Sequence, residues 1–169
     1  MTDIFDQCDA ILNELSLFSD DLLYLGPAIS DDRLELFEKQ IGFVLPFDFK
    51  YIAKKHNRIV LAGIEIYGLD KALKGNSLEE IYKYEHDEKI YNAMPNKFLP
   101  FSPDGRGNHY CFDLLKFNSG ACPVVFWQHD YVYESKDEVE VCNASFVEWI
   151  KEVLIDWTLE DYNYNGTAK

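Results

Sequence analysis

The 169-residue sequence lacks the features that direct a chain out of the cell or into a membrane. Its first residues, MTDIFDQCDAILNEL, are acidic where a secretory signal requires a basic stretch followed by an uninterrupted apolar one. The longest apolar runs, such as Val124 to Trp127, are far shorter than the ~20 residues that cross a bilayer. The sequence therefore predicts a cytoplasmic protein that does not contact membranes.

Cysteine is scarce, and it lacks the spacings that metal sites and disulfide frameworks need. Cys8, Cys111, Cys122 and Cys142 are scattered along the chain without any C-x-x-C pair. Free thiols agree with a reducing compartment, where disulfides are rare. We expect no metal and no cofactor.

Basic residues are also few, since 16 lysines and arginines stand against 30 aspartates and glutamates, a net charge of −14. Residues 1–35 carry −8 and residues 130–169 carry −7, whereas residues 36–129 carry +1. Direct binding to nucleic acid is disfavoured, because affinity for phosphates comes largely from lysine and arginine contacts. The acidic ends either confer solubility alone or attract a basic protein partner.

The residues that are present predict a folded domain, because a hydrophobic content of 47% supplies enough apolar surface for a core. Before the last helix, apolar residues recur at helical spacing in the stretches 3–18, 31–41, 45–56 and 77–91. The last helix begins with a capping box made by Ser145 and Glu148. Strand patterns occupy the stretches 59–67, 95–103, 109–114 and 123–129.

Two of the strand patterns differ in the burial that they predict. Residues 109–114 place Tyr110, Phe112 and Leu114 on one side, which predicts a half-buried strand. Residues 123–129 are apolar almost throughout, which predicts a central strand covered on both faces.

The order of elements predicts one α+β domain with a mostly antiparallel or mixed sheet flanked by helices. We expect three parts along the chain. Residues 1–25 form an acidic amphipathic helix packed on the core, residues 28–157 form the core domain, and residues 158–169 form a loose tail.

The residues most typical of an enzyme are His109, Asp113 and His129, with Asp104 and Asp130 nearby in sequence, since histidine and carboxylate serve metal and acid–base chemistry. Equal parity puts His109 and Asp113 on one side of a strand, but too far apart to share one metal without an intervening strand. A structural or hydrogen-bonding role is favoured, as is burial for Cys111 and Cys122 rather than a nucleophilic role. We expect no catalytic residues.

An acidic and aromatic surface on either side of the last helix is the remaining candidate site. Tyrosines anchor interfaces, and carboxylates steer a basic partner, although an acidic loop is often only solvated. The predicted partner-binding residues are Tyr131, Tyr133, Glu134, Asp137, Glu138, Glu140, Asp156, Glu160 and Asp161.

Eight short segments occur in order over residues 28–157 and together form a recognisable pattern. They are Ile29-Ser30-Asp31-Asp32 with Leu34 to Glu38 and Ile41-Gly42, Leu45 to Phe49, Ile66 to Leu69, Phe98 to Phe101, Asp104-Gly105, Tyr110 to Asp113, Cys122 to Trp127 with His129, and Ser145-Phe146 with Glu148-Trp149. These segments resemble the SUKH superfamily, which contains a fungal cell-wall assembly regulator and many bacterial immunity proteins. One departure is His56-Asn57-Arg58-Ile59, where many members carry an Asn-Gly-Gly stretch.

The resemblance implies a SUKH-like α+β binding domain with no shared catalytic motif. It implies an immunity protein, or antitoxin, that neutralises a cognate bacterial toxin, often a nuclease, by steric and electrostatic occlusion; the acidic ends favour a basic toxin. An intracellular scaffold or regulatory protein-binding module is the alternative, and a small metal-dependent hydrolase is the third hypothesis.

Overall fold

The computed structural model describes residues 3–70, 76–135 and 138–169. The C-terminal helix, residues 146–161, has three parts: α5 (Phe146–Trp149), a π-helical segment (Ile150–Asp156) and α6 (Trp157–Asp161). The preceding elements are α1 (Ile4–Leu15), β1 (Leu23–Leu25), α2 (Asp31–Ile41), α3 (Phe47–Lys55), β2 (Ile59–Leu61), β3 (Ile64–Ile66), α4 (Leu78–Glu85), β4 (Phe98–Pro103), β5 (His109–Asp113), β6 (Val124–Trp127) and β7 (Glu140–Asn143).

Capping residues set the helix boundaries as the sequence predicts. Ser30 Oγ accepts a hydrogen bond from the Arg33 amide at 3.2 Å, and α2 ends at Gly42, whose φ of 78° suits glycine. Ser145 Oγ accepts from the Glu148 amide at 3.1 Å. The helix predicted for 77–91 is shorter, because the chain turns back after α4.

Both sheets are antiparallel, which confirms the predicted fold class. The first has the order β1-β2-β3, and the second has the order β4-β5-β6-β7. The sheets meet where the Tyr67 amide donates to the Phe101 carbonyl at 2.8 Å. Strand β7 pairs with β6 only, so it forms an edge of the second sheet.

The second sheet is covered on both of its faces, so the prediction that strand 109–114 is half-buried was wrong. Phe112 stacks on Phe101 at 4.2 Å and faces the main core, which includes the C-terminal helix. Cys111, on the opposite face, is also fully buried. That face is covered by residues outside the strands, including Met94, Val139 and Tyr133.

The two ends of the chain pack together on this core. Cys8, Ile11 and Leu15 of α1 belong to the main hydrophobic cluster. Residues 158–169, expected as a loose tail, begin within the C-terminal helix and then fold back, since the Tyr164 carbonyl accepts from the Ser19 amide at 2.7 Å. None of the helices in the described residues combines the length and the apolar character needed to span a membrane.

Candidate functional site

An open groove of about 950 Å³ lies between α1 and the C-terminal helix. Helix α1 contacts both α5 and the π-helical segment, and the groove lies along this contact. The apolar part of its lining is Ala10, Ile11, Leu17 and Val147. Leu17 is 60% exposed, so the groove offers apolar surface that the fold does not bury.

Carboxylates outnumber cations along the groove. Glu14, Glu148, Glu152 and Asp156 line it together with one cation, Lys151. Lys151 Nζ lies 2.8 Å from Asp156 Oδ1 and 2.9 Å from Glu14 Oε1, and these two hydrogen bonds raise the pKa of Lys151. The cation therefore bridges the two walls, and a surplus of negative charge remains.

Two of the carboxylates are held in place by uncharged donors. Glu148 Oε2 accepts from the Ala144 amide at 2.9 Å, which completes the helix cap. Glu152 Oε2 accepts from Asn143 Nδ2 at 2.8 Å. These hydrogen bonds orient Glu148 and Glu152 without neutralising them, and the described part of the chain places no cation against either carboxylate.

The π-helical segment forms much of one wall. The Trp157 amide donates to the Glu152 carbonyl five residues earlier, which is the π-helical pattern. Lys151, Glu152 and Asp156 all project from this segment into the groove lining. Such segments occur often at functional sites.

The predicted partner-binding residues lie on several different elements of the fold. Asp156 lines the groove, and Glu140 is exposed on the edge strand β7. Tyr133 serves the fold, because its ring packs on Trp127 at 4.9 Å and its hydroxyl accepts from the Gln128 amide. Exposed residues elsewhere are Tyr131, Glu134, Glu138, Glu160 and Asp161, and Asp137 lies outside the described residues. A partner-binding role for this set stays a prediction.

A second concave region, which we call the His109 cleft, lies between α4 and the turn at residues 104–108. Two adjoining cavities of about 440 and 550 Å³ share Tyr84, Glu85 and Gly107. Gly107 has a φ of 90°, and a Cβ there would lie 2.8 Å from the His129 ring. This glycine therefore lets the turn approach His129 closely.

His109 and Glu85 are the buried polar residues of this cleft. His109 is 5% exposed and Glu85 is 8% exposed. His109 Nε2 lies 3.2 Å from the Tyr67 hydroxyl, and Nδ1 lies 3.8 Å from Glu85 Oε1. Burial lowers the pKa of His109 to about 4 and raises the pKa of Glu85.

The residues typical of an enzyme are not assembled into one site. Asp113 lies at the other end of β5, where its carboxylate accepts from the Leu115 amide. His129 is exposed and bonds to Asn108 Oδ1 at 2.8 Å. Within the described residues, no three His, Cys, Asp or Glu side chains are grouped to hold a metal. The Cys111 thiol is fully buried, and burial raises its pKa well above the ordinary value.

Comparison with known proteins identifies the family of this chain. The sequence profile of the SMI1 / KNR4 family (SUKH-1) matches residues 28–152. The chain belongs to the SUKH-1 family. A crystal structure described only as a protein from Pseudomonas syringae pv. tomato is similar, with a TM-score of 0.58 and 17% identity over 86% of this chain and 96% of that one. At this identity the likeness shows the fold alone. No curated protein sequence matches the chain.

The two concave regions differ in how much of their lining lies within the SUKH-1 match. The residues that line the His109 cleft all lie within positions 28–152. The groove takes one whole wall from α1 and its following turn, which precede position 28.

Sequence reasoning missed Ala10, Leu17, Glu148 and Glu152, because nothing local shows that two helices some 130 residues apart lie side by side. The acidic outer sides that both helices display were the available signal.

Proposed function

We propose that this SUKH-1 protein is a non-catalytic immunity protein that binds a basic bacterial toxin in the acidic groove and blocks it by steric and electrostatic occlusion. The observation that carries the proposal is the apolar groove floor beside Glu148 and Glu152, for which the described residues provide no cationic partner. The family resemblance implies the same class of function. Cytoplasmic action on a protein partner is part of the proposal.

The apolar floor of the groove and the carboxylates at its rim contribute to binding in different ways. Exposed apolar surface at Leu17 and Ala10 gives free energy when a partner covers it. Rim carboxylates raise the association rate and exclude acidic competitors. They act over about 8 Å at physiological salt, so a partner has to place its lysines or arginines close to the groove.

The test is co-expression of the protein with the product of the gene next to its own, in a host that this product kills. We expect survival and a co-purifying 1:1 complex. Death of the host despite soluble expression of both proteins would contradict the proposal for this partner, and would favour the regulatory-module alternative.

A matched pair of variants tests whether the groove is the interface. Ala10→Arg places a long cation on the groove floor, at an exposed helix position that tolerates arginine. Gln40→Arg adds the same charge to the exposed side of α2, away from the groove. We expect Ala10→Arg to abolish protection and Gln40→Arg to retain it. Equal protection by both variants would contradict binding at the groove.

A further inference from the structure

The His109 cleft holds a buried carboxylate without a strong cationic partner. Among the described residues, the ion-pair contact of Glu85 is to His109, at 3.8 Å. That imidazole is neutral near pH 7, because burial lowers its pKa to about 4. A carboxylate in this position has lost water, and the charge of the exposed His129 lowers the Glu85 pKa by less than burial raises it, so the carboxylate is costly to hold.

The second polar group of the cleft is also incompletely bonded. His109 Nδ1 is buried and has no hydrogen-bond partner in the described part of the chain. When Nε2–H donates to the Tyr67 hydroxyl, Nδ1 carries a lone pair and is an acceptor. Glu85 Oε1 and His109 Nδ1, 3.8 Å apart, are then two buried acceptors in the lining of the cleft.

Aromatic surface lies beside these acceptors. The Tyr84 side chain lines both cavities and is 63% exposed. Tyr91 is 77% exposed at the adjoining cavity, and Asp130 lines the same cavity. Exposed tyrosine rings attract cations through their negative faces.

We propose that the His109 cleft binds a guanidinium group, with Glu85 and His109 Nδ1 as hydrogen-bond acceptors and the Tyr84 ring against the plane of the cation. A guanidinium is planar, stacks on aromatic rings and has several N–H donors in a fixed fork, which suits two separated acceptors. An ammonium is compact and strongly hydrated, so it gains less from this geometry.

The guanidinium comes either from an arginine side chain of a protein partner or from a free small molecule such as arginine. In the first case the inference deepens the proposed function, since a basic toxin carries arginines. The cleft is a separate place in the fold from the groove, and its test requires no toxin. Failure of one proposal therefore leaves the other standing.

The experiment is an NMR titration of the full-length ¹⁵N-labelled protein with Nα-acetyl-arginine amide. We expect a millimolar Kd, with shifts concentrated at Tyr84, Glu85, Gly107 and His109. Nα-acetyl-citrulline amide has nearly the same shape without the charge, and should bind about tenfold more weakly. Equal shifts with both compounds, shifts confined to other residues, or no shifts would overturn the proposal.

Matched variants assign the binding to the cleft. Glu85→Gln keeps the shape and removes the charge, so it should weaken binding by about tenfold, whereas Glu88→Gln changes an exposed neighbour and should not. Tyr84→Ala, at an exposed position, provides the second variant if Glu85→Gln unfolds the protein. Unchanged affinity in the folded variant would exclude the cleft.

Two further probes identify the source of the guanidinium. Tighter binding of free L-arginine than of the acetylated tripeptide Ala-Arg-Ala amide would identify a small molecule as the ligand. Tighter binding of the tripeptide would identify an arginine within a protein. Either order supports a guanidinium site, and binding of neither probe contradicts it.

Discussion

The groove and the His109 cleft differ in how their charges are held. The groove carboxylates are at the surface, and hydrogen bonds from uncharged groups orient Glu148 and Glu152. Glu85 and His109 of the cleft are buried, and each has a shifted pKa. The groove also takes a wall from outside the SUKH-1 match, whereas the cleft lies within it.

Under the two proposals, the groove and the cleft serve different kinds of recognition. A wide groove with surface charges suits a protein partner, whose affinity is spread over many contacts and whose encounter rate depends on salt. A cleft with buried acceptors suits a single cationic group, for which each hydrogen bond matters. A wall outside the shared fold suits recognition of an individual partner.

The largest predicted effect on stability concerns α1, which lines the groove with one side and contributes its other side to the hydrophobic core. Leu15→Ala removes a fully buried side chain of α1 and should lower the free energy of unfolding by about 3 kcal/mol. Leu17→Ala removes a 60% exposed side chain and should change it by less than about 0.5 kcal/mol. Urea unfolding measures both. Similar small losses in the two variants would show that α1 is not packed as described.

The second prediction concerns the buried imidazole of the cleft. The pKa of His109 is lowered from 6.5 to about 4 by burial, so between these pH values the unfolded chain binds the proton more readily. The contribution of the neutral His109 side chain to the free energy of unfolding is fully present above pH 6.5 and is lost as the pH falls towards 4. Between pH 7 and pH 5, the free energy of unfolding should fall by about 2 kcal/mol more in the wild type than in His109→Gln. Equal losses would mean that His109 is not buried as a neutral group.

The third prediction concerns the cation of the groove, where a small effect on stability is expected. Lys151→Met breaks exposed hydrogen bonds to Glu14 and Asp156, so the free energy of unfolding should change by less than about 1 kcal/mol. The groove gains negative charge, so association with a basic toxin should become faster, most clearly at low salt. Stopped-flow kinetics measures the rate. Slower association would indicate that Lys151 itself contacts the partner.

Local chemistry predicted much of the fold. The helix starting at Ser30 and ending at Gly42, and the capping box at Ser145, depend on neighbouring residues and could be read from the sequence. Strand patterning likewise gave β4 and β6. The family resemblance was confirmed by the SUKH-1 match.

Long-range packing accounts for what could not be predicted. Strand β5 was predicted to be half-buried, because nothing in its own residues shows that a loop containing Val139 covers its second face. The π-helical segment has no local signature, since it follows from how the helix fits the core. Tyr67, Glu85 and His109 meet only in the folded chain, so the cleft was not foreseen.

Hydrogen exchange of the protein with and without the purified product of the neighbouring gene tests the central claim most directly. We predict a stable complex in which amides of residues 4–17 and 147–156 gain protection from exchange. Ala10→Arg should lose that protection, and Gln40→Arg should keep it. A stable complex whose protection lies wholly outside these two segments would contradict the groove as the interface.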